Sequence, residues 1–138
     1  MLGLDLGEKT IGLALSDTTL AVATPFKTLK RSKFRADAAI LMDLIAEHHI
    51  GGLIVGLPLN MDGSEGPAVQ SARAFARNFA GVSACPVVLV DERLSTAAVT
   101  RTLLEADASR RQRASVVDKM AAAYILQGAL DQLRNPSL

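Results

Sequence analysis

Residues 3–17 read GLDLGEKTIGLALSD, and the fold turns on whether these glycines cradle a phosphate or frame a carboxylate. A phosphate-binding loop needs four residues between its glycines and Lys directly after the second. It must also open a helix whose first amides face the phosphates. Here three residues separate Gly3 from Gly7, Glu8 precedes Lys9, and the residues from Ile11 to Ser16 alternate with a period of two, as a half-buried strand does. The stretch therefore reads as strand, turn, strand. In the first strand Leu2, Leu4 and Leu6 share one face, while Gly3, Asp5 and Gly7 share the other. A glycine two residues to either side leaves room around the Asp5 carboxylate for a metal ion, a water or a substrate oxygen. A strand-end Asp that accepts hydrogen bonds from turn amides is the structural alternative.

The length fits a single domain over residues 1–138 with one apolar core. Cys85 is the only cysteine, so no internal disulfide can form, and it is expected to be a small buried hydrophobe at the start of a strand. With no signal peptide and no long apolar segment, the chain is expected to be cytosolic and not membrane-bound. A net charge of +1 excludes a generally cationic coat but allows local patches. Two exist: Lys27, Lys30, Arg31, Lys33 and Arg35, and then Arg110, Arg111 and Arg113. With no tryptophan and few aromatics, a base-stacking platform is not expected, so nucleic acid would be held by its backbone.

After the opening hairpin a third strand is expected around residues 21–29. Ser32 is a candidate cap for a helix over residues 34–49, whose apolar residues Phe34, Ala38, Leu41, Leu44 and Ile45 recur at helical spacing. The run from Gly52 to Leu57 reads as a strand buried on both faces and ended by Pro58. A turn-rich loop follows, and Pro67 is placed to begin a helix to about Phe79. Pro86 to Val90 reads as another buried strand. Ser95 or Thr96 is expected to cap a helix to about Ala106, residues 107–113 to form a loop, and Ser115 to begin the last helix. The order predicts a mixed α/β sheet covered by helices. In such sheets ligands gather at the carboxyl ends of the parallel strands, which selects Asp5, the loop after Leu57, and Asp91 with Glu92. Asp118 lies three residues after Ser115, a spacing close to a capping box. Ala121 and Ala122 share its helical face and would let the helix approach the sheet closely.

Four segments together, GLDLGEKTIGLALSD, VGLPLNMDGSEG (residues 55–66), DERLST (91–96) and VDKMAAAYIL (117–126), resemble the YqgF proteins over nearly the whole chain. These are also described as pre-16S rRNA nucleases or Holliday junction resolvase-like proteins, within the RNase H-like superfamily. The resemblance implies an RNase H-like mixed sheet of five strands with the second antiparallel and helices on both faces. It also implies a nuclease whose catalytic and metal-ligating acids fall on Asp5, Glu92 and Asp118. Family members often carry Lys-Arg in the first turn, where this chain has Lys9-Thr10.

The residue types suit that chemistry. Carboxylates alone repel an anionic phosphodiester, and a divalent cation reverses the sign. Hard oxygen ligands with no Cys or His nearby select Mg²⁺ or Mn²⁺, as one or two ions. Asp91 is expected to be a structural cap, and His48 and His49 to serve the dipole at a helix C-terminus. Lys9, Asn60, Arg93, Arg110, Arg111 and Arg113 are the candidate contacts to a nucleic-acid backbone. Expected substrates are structured RNA, with the 5′ end of the small-subunit rRNA precursor foremost, and branched DNA; ribosomal precursor particles are candidate partners. Two other classes compete. An ATP-binding module of the sugar-kinase and actin type also opens with an Asp-x-Gly hairpin, but it needs a second one that this chain lacks. A non-catalytic RNA-binding assembly factor would leave converging carboxylates without a counter-charge.

Overall fold

The computed structural model describes residues 1–60, 62–94 and 110–134, with the backbone alone for 94 and 110–118. Its elements are β1 (Leu2–Leu6), β2 (Thr10–Ser16), β3 (Ala23–Lys30), α1 (Phe34–Glu47), β4 (Leu53–Leu57), α2 (Pro67–Val82), β5 (Val87–Asp91), a 3-10 turn (Glu92–Leu94) and α3 (Arg110–Arg134). The five strands lie in the order β3-β2-β1-β4-β5. β2 is antiparallel to both its neighbours, while β1, β4 and β5 run parallel.

The alternation of β1 divides the core in two. Leu2, Leu4 and Leu6 join Ile11, Leu13, Leu53, Val55 and Leu57 beneath α1 and α2. On the opposite face Ala14 and Ile54 pack under Ala121, Ala122, Ile125, Leu126 and Ala129 of α3. Helices thus cover both faces, as expected. The parallel register fixes one functional end, because Leu4 aligns with Val55, and Leu57 with Asp91. The carboxyl ends of β1, β4 and β5 therefore lie side by side.

Local chemistry revises several expected boundaries. Pro67 begins α2 with Gly66 as its cap, but the helix continues past Phe79 to Val82. The cap of α1 is Lys33, not Ser32, and it makes no side-chain capping bond. Ser32 instead donates its amide and hydroxyl to Asp37, whose carboxylate reaches back from the first turn. α1 ends when His49 enters the left-handed region at φ 53° and the Ile50 amide reaches back to the Ile45 carbonyl. This is a Schellman ending with His where Gly usually stands. The last helix begins at Arg110, not Ser115, so residues 110–113 are helical. Arg, Gln and Ala are good helix formers, and their propensity overrides the local capping preference of Ser115. With Ser115 inside the helix, Asp118 has no capping box to complete. The helix expected after Ser95 or Thr96 lies outside the described residues.

Candidate active site

Asp5 sits one residue before the end of β1 and is only 6% exposed. Directly across the antiparallel ladder stands Gly12, so the adjacent strand puts no side chain against the carboxylate. The flanking glycines do other work. A β-carbon on Gly3 would stand 2.8 Å from Leu126 Cβ and 3.0 Å from the Ala122 carbonyl oxygen, and one on Gly7 would stand 3.1 Å from the Thr10 carbonyl oxygen. Gly3 thus admits α3 and Gly7 closes the β1–β2 turn, where the Gly7 amide donates to the Thr10 carbonyl at 2.8 Å. The space expected beside Asp5 on the Gly3 side is therefore filled by helix. On its other side Asp5 meets the bare backbone of Gly12 in the neighbouring strand.

β4 repeats the device. Gly56 follows Val55, the partner of Leu4, and a β-carbon on Gly56 would come within 2.6 Å of Ile125 Cδ1. A bare backbone position thus stands between the end of β1 and the end of β5. Glu92, the first residue of the 3-10 turn after β5, is 4% exposed and shares a small cleft with Ile125, Gly128, Ala129 and Gln132 of α3. Asp5 and Glu92 are therefore both buried on the α3 side of the sheet, at the carboxyl ends of strands separated by one. Asp118 lies on α3 one turn before Ala122, and its side chain is outside the described residues. Among the described residues no three His, Cys, Asp or Glu side chains gather to hold an ion.

The donor set at this end of the sheet suits a hard cation. His48 and His49 line a cleft with Met1, Ser16 and Asp17, at the opposite end of the sheet, and Cys85 precedes β5 at that same end. Only oxygen ligands remain near Asp5 and Glu92, which fits Mg²⁺ or Mn²⁺ and not a thiolate- or imidazole-loving metal. Burial holds the Cys85 thiol above its usual range, so it is not a reactive thiolate.

Asp91 plays the structural part expected of it. It accepts from the Arg93 amide at 2.9 Å and from the Arg93 guanidinium at 2.7 Å. That side-chain bond is the main reason its carboxyl sits below the usual range, with the Arg93 amide also lowering it. Arg93 also donates to the Asn60 carbonyl at 3.4 Å, so it braces the loop after β4 as well as facing outward. Asn60 shapes the same loop, receiving the Gly63 amide at 2.8 Å and donating its side-chain amide to Ser64 Oγ at 2.9 Å. Lys9 is exposed in the β1–β2 turn. The side chains of Arg110, Arg111 and Arg113 lie outside the described residues.

Arg31 has a role that the sequence does not announce. Its guanidinium donates to the Gly7 carbonyl at 2.7 Å and to Ser71 Oγ of α2 at 3.0 Å, and its amide donates to the Lys9 carbonyl at 2.8 Å. It pins the turn that follows Asp5 onto α2. The only sequence signal was membership of a basic run, which could not say which cation turns inward. Beside it a cleft of about 670 Å³ opens between that turn and the start of α2, lined by Gly7, Glu8, Arg31, Pro67, Ala68 and Ser71.

Residues 1–132 match the family model described as "RuvX: Holliday junction resolvase". The chain belongs to the RuvX family. A relative from Paramagnetospirillum magneticum, named "Putative pre-16S rRNA nuclease", is 62% identical over 95% of this chain and 84% of its own length. One of the same name from Roseobacter denitrificans is 61% identical over 97% of this chain and 83% of its own. A solved structure, T. thermophilus RuvC in complex with Holliday junction substrate, superposes with a TM-score of 0.59 at 15% identity, covering 96% of this chain and 94% of that one. At that identity the RuvC likeness shows a shared fold. RuvX membership favours the nuclease reading over the ATP-binding one, and the RuvC likeness agrees with a five-stranded sheet whose second strand runs against the others.

Proposed function

We propose that this RuvX-family chain is a metal-dependent nuclease that hydrolyses phosphodiester bonds of structured nucleic acid, with the 5′ end of the small-subunit rRNA precursor as its main substrate. The observation that carries the reading is the burial of Asp5 and Glu92 on one side of the sheet, at the carboxyl ends of β1 and β5, with Gly56 between. Two carboxylates buried on one side of a sheet concentrate negative charge in a poorly solvated place, and a divalent cation offsets that charge. Asp5, Glu92 and Asp118 would hold the cation, Asp118 being brought in by the helix that Gly3 admits. A bound Mg²⁺ or Mn²⁺ would offset phosphate charge and make water a better nucleophile. The side chains do the rest. Asp5, fixed between Gly3 and Gly7 on a central strand, supplies a rigid ligand, and the exposed Lys9, Asn60 and Arg93, with the Arg110 to Arg113 run, would meet the substrate backbone.

Support for the RNA substrate comes from the names of the relatives, and support for a branched-DNA variant from the description of the family model. Cleavage of precursor RNA and of a four-way DNA junction, with Mg²⁺ or Mn²⁺, decides between them. Wild type is expected to cut the RNA, and Asp5→Asn to lose cleavage by about a thousandfold, as expected when charge stabilisation at the reacting centre is removed. Undiminished cutting by Asp5→Asn would end the proposed mechanism.

A further inference from the structure

We propose that the exposed cations from Lys27 to Arg35 form a track that holds the phosphodiester backbone of a substrate duplex arm and leads it to the site. The inference rests on the nuclease reading and extends it to how substrate is held. Lys27, Lys30, Lys33 and Arg35 are all exposed, and no acidic residue occurs between Lys27 and Arg35. Among the described residues ion pairs join Arg73 to Glu65 and Arg93 to Asp91, and neither involves this stretch. Asp37, the nearest acid beyond it, is buried and already accepts from Ser32.

The placement makes this a track and not a scattered surface. β3 is an edge strand, and Lys30 pairs with Thr10, whose carbonyl closes the turn on Gly7. Lys30 therefore stands at the Asp5 end of the sheet. Arg31, the next residue, spends its guanidinium inward on Gly7 and Ser71, locking the track to the turn after Asp5. Lys27, packed over Phe26 at 5.1 Å, points to the α1 side of this edge strand where Lys30 points to the α3 side, an odd offset of three residues along it. That is roughly 10 Å, and a duplex presents one phosphate charge about every 1.7 Å of axis, so successive cations meet different phosphates. Lys33 and Arg35 sit at the cap and in the first turn of α1, where the helix dipole disfavours cations. An anionic partner laid across that helix start reverses the penalty.

Binding of an RNA hairpin with a duplex stem, and of a four-way DNA junction, is measured between low and moderate salt with the full chain. The triple variant Lys30→Gln/Lys33→Gln/Arg35→Gln is compared with wild type and with a charge-keeping Lys30→Arg/Lys33→Arg/Arg35→Lys chain. The glutamine variant is expected to weaken binding at least tenfold and to reduce the salt slope by about two to three, at roughly 0.9 per phosphate contact. The charge-keeping chain is expected to retain both. Saturating substrate should restore cleavage by the glutamine variant, so the loss falls on KM. An unchanged affinity and slope overturns the track while leaving the nuclease reading intact. Loss of cleavage by Asp5→Asn with the track's binding preserved supports both, and wild type that binds neither probe overturns the track whatever its cleavage shows.

Discussion

A β-carbon placed on Gly3 would stand 2.8 Å from the β-carbon of Leu126, closer than real side chains approach. The strand that carries Asp5 and the helix that carries Asp118 are therefore in backbone-level contact. Gly3→Ala cannot be absorbed by a rotamer change, because Leu126 Cβ and the Ala122 carbonyl are both fixed to the helix. At Gly56 the nearest atom is the flexible end of Ile125. Gly3→Ala is expected to cost about 2–3 kcal/mol and Gly56→Ala about 1–2 kcal/mol, within the range for overpacked cores. Denaturant unfolding of the two variants checks the order, and Gly3→Ala should also lose activity as α3 is pushed from the sheet.

His49 adopts φ 53° at the end of α1. Glycine takes that conformation without steric penalty, whereas other residues are strained there. His49→Gly is expected to stabilise the chain by about 0.5–1 kcal/mol with cleavage unchanged, since His49 lies at the end of the sheet remote from Asp5. A destabilised variant would show that the imidazole makes a contact worth more than the strain.

Arg31→Ala removes the tie between the Gly7 carbonyl, Ser71 and the guanidinium. A buried or half-buried hydrogen bond to a charged group contributes about 1.5–3 kcal/mol, and because this one is partly exposed a loss near 1 kcal/mol is expected. The turn after Asp5 would loosen, so kcat should fall more than stability alone explains. Arg31→Lys, which can reach one partner but not both, should recover only part of it.

Asp17 gives a pH signature. Its carboxylate accepts from the Thr19 hydroxyl at 2.6 Å and from the Ala21 and Val22 amides at 2.8 and 3.1 Å. The Thr19 bond first, then the backbone bonds, lower its pKa from 3.8 to about 2. A group depressed in the folded state stabilises above its unfolded pKa and loses that contribution as pH falls through its folded one. Stability from the β2–β3 connection should therefore be complete above about pH 4 and disappear toward pH 2. Melting temperatures of wild type and Asp17→Asn should converge across that window and differ above it.

Addition of Mg²⁺ or Mn²⁺ in the absence of substrate should raise the melting temperature of wild type, because a ligand that binds only the folded state stabilises it. Asp5→Asn and Glu92→Gln should each abolish the rise. A rise that survives both changes would place the cation elsewhere.

Much of the architecture was written into local pattern. The alternation of Leu2, Leu4 and Leu6 against Gly3, Asp5 and Gly7 set the two faces of β1, and Pro67 marked the start of α2, because periods of two and 3.6 depend only on neighbours in the chain. Folding alone decided the rest. That Gly3 serves Leu126, that Gly56 lies under Ile125, and that Arg31 turns inward while Lys30 and Lys33 stay in solvent are relations between residues 24 to 123 positions apart. Even the start of α3 at Arg110 escaped the local capping signal at Ser115. Sequence periodicity states which side of an element is apolar, but which element covers that side is fixed only when long-range packing offsets the entropy of closing the intervening chain.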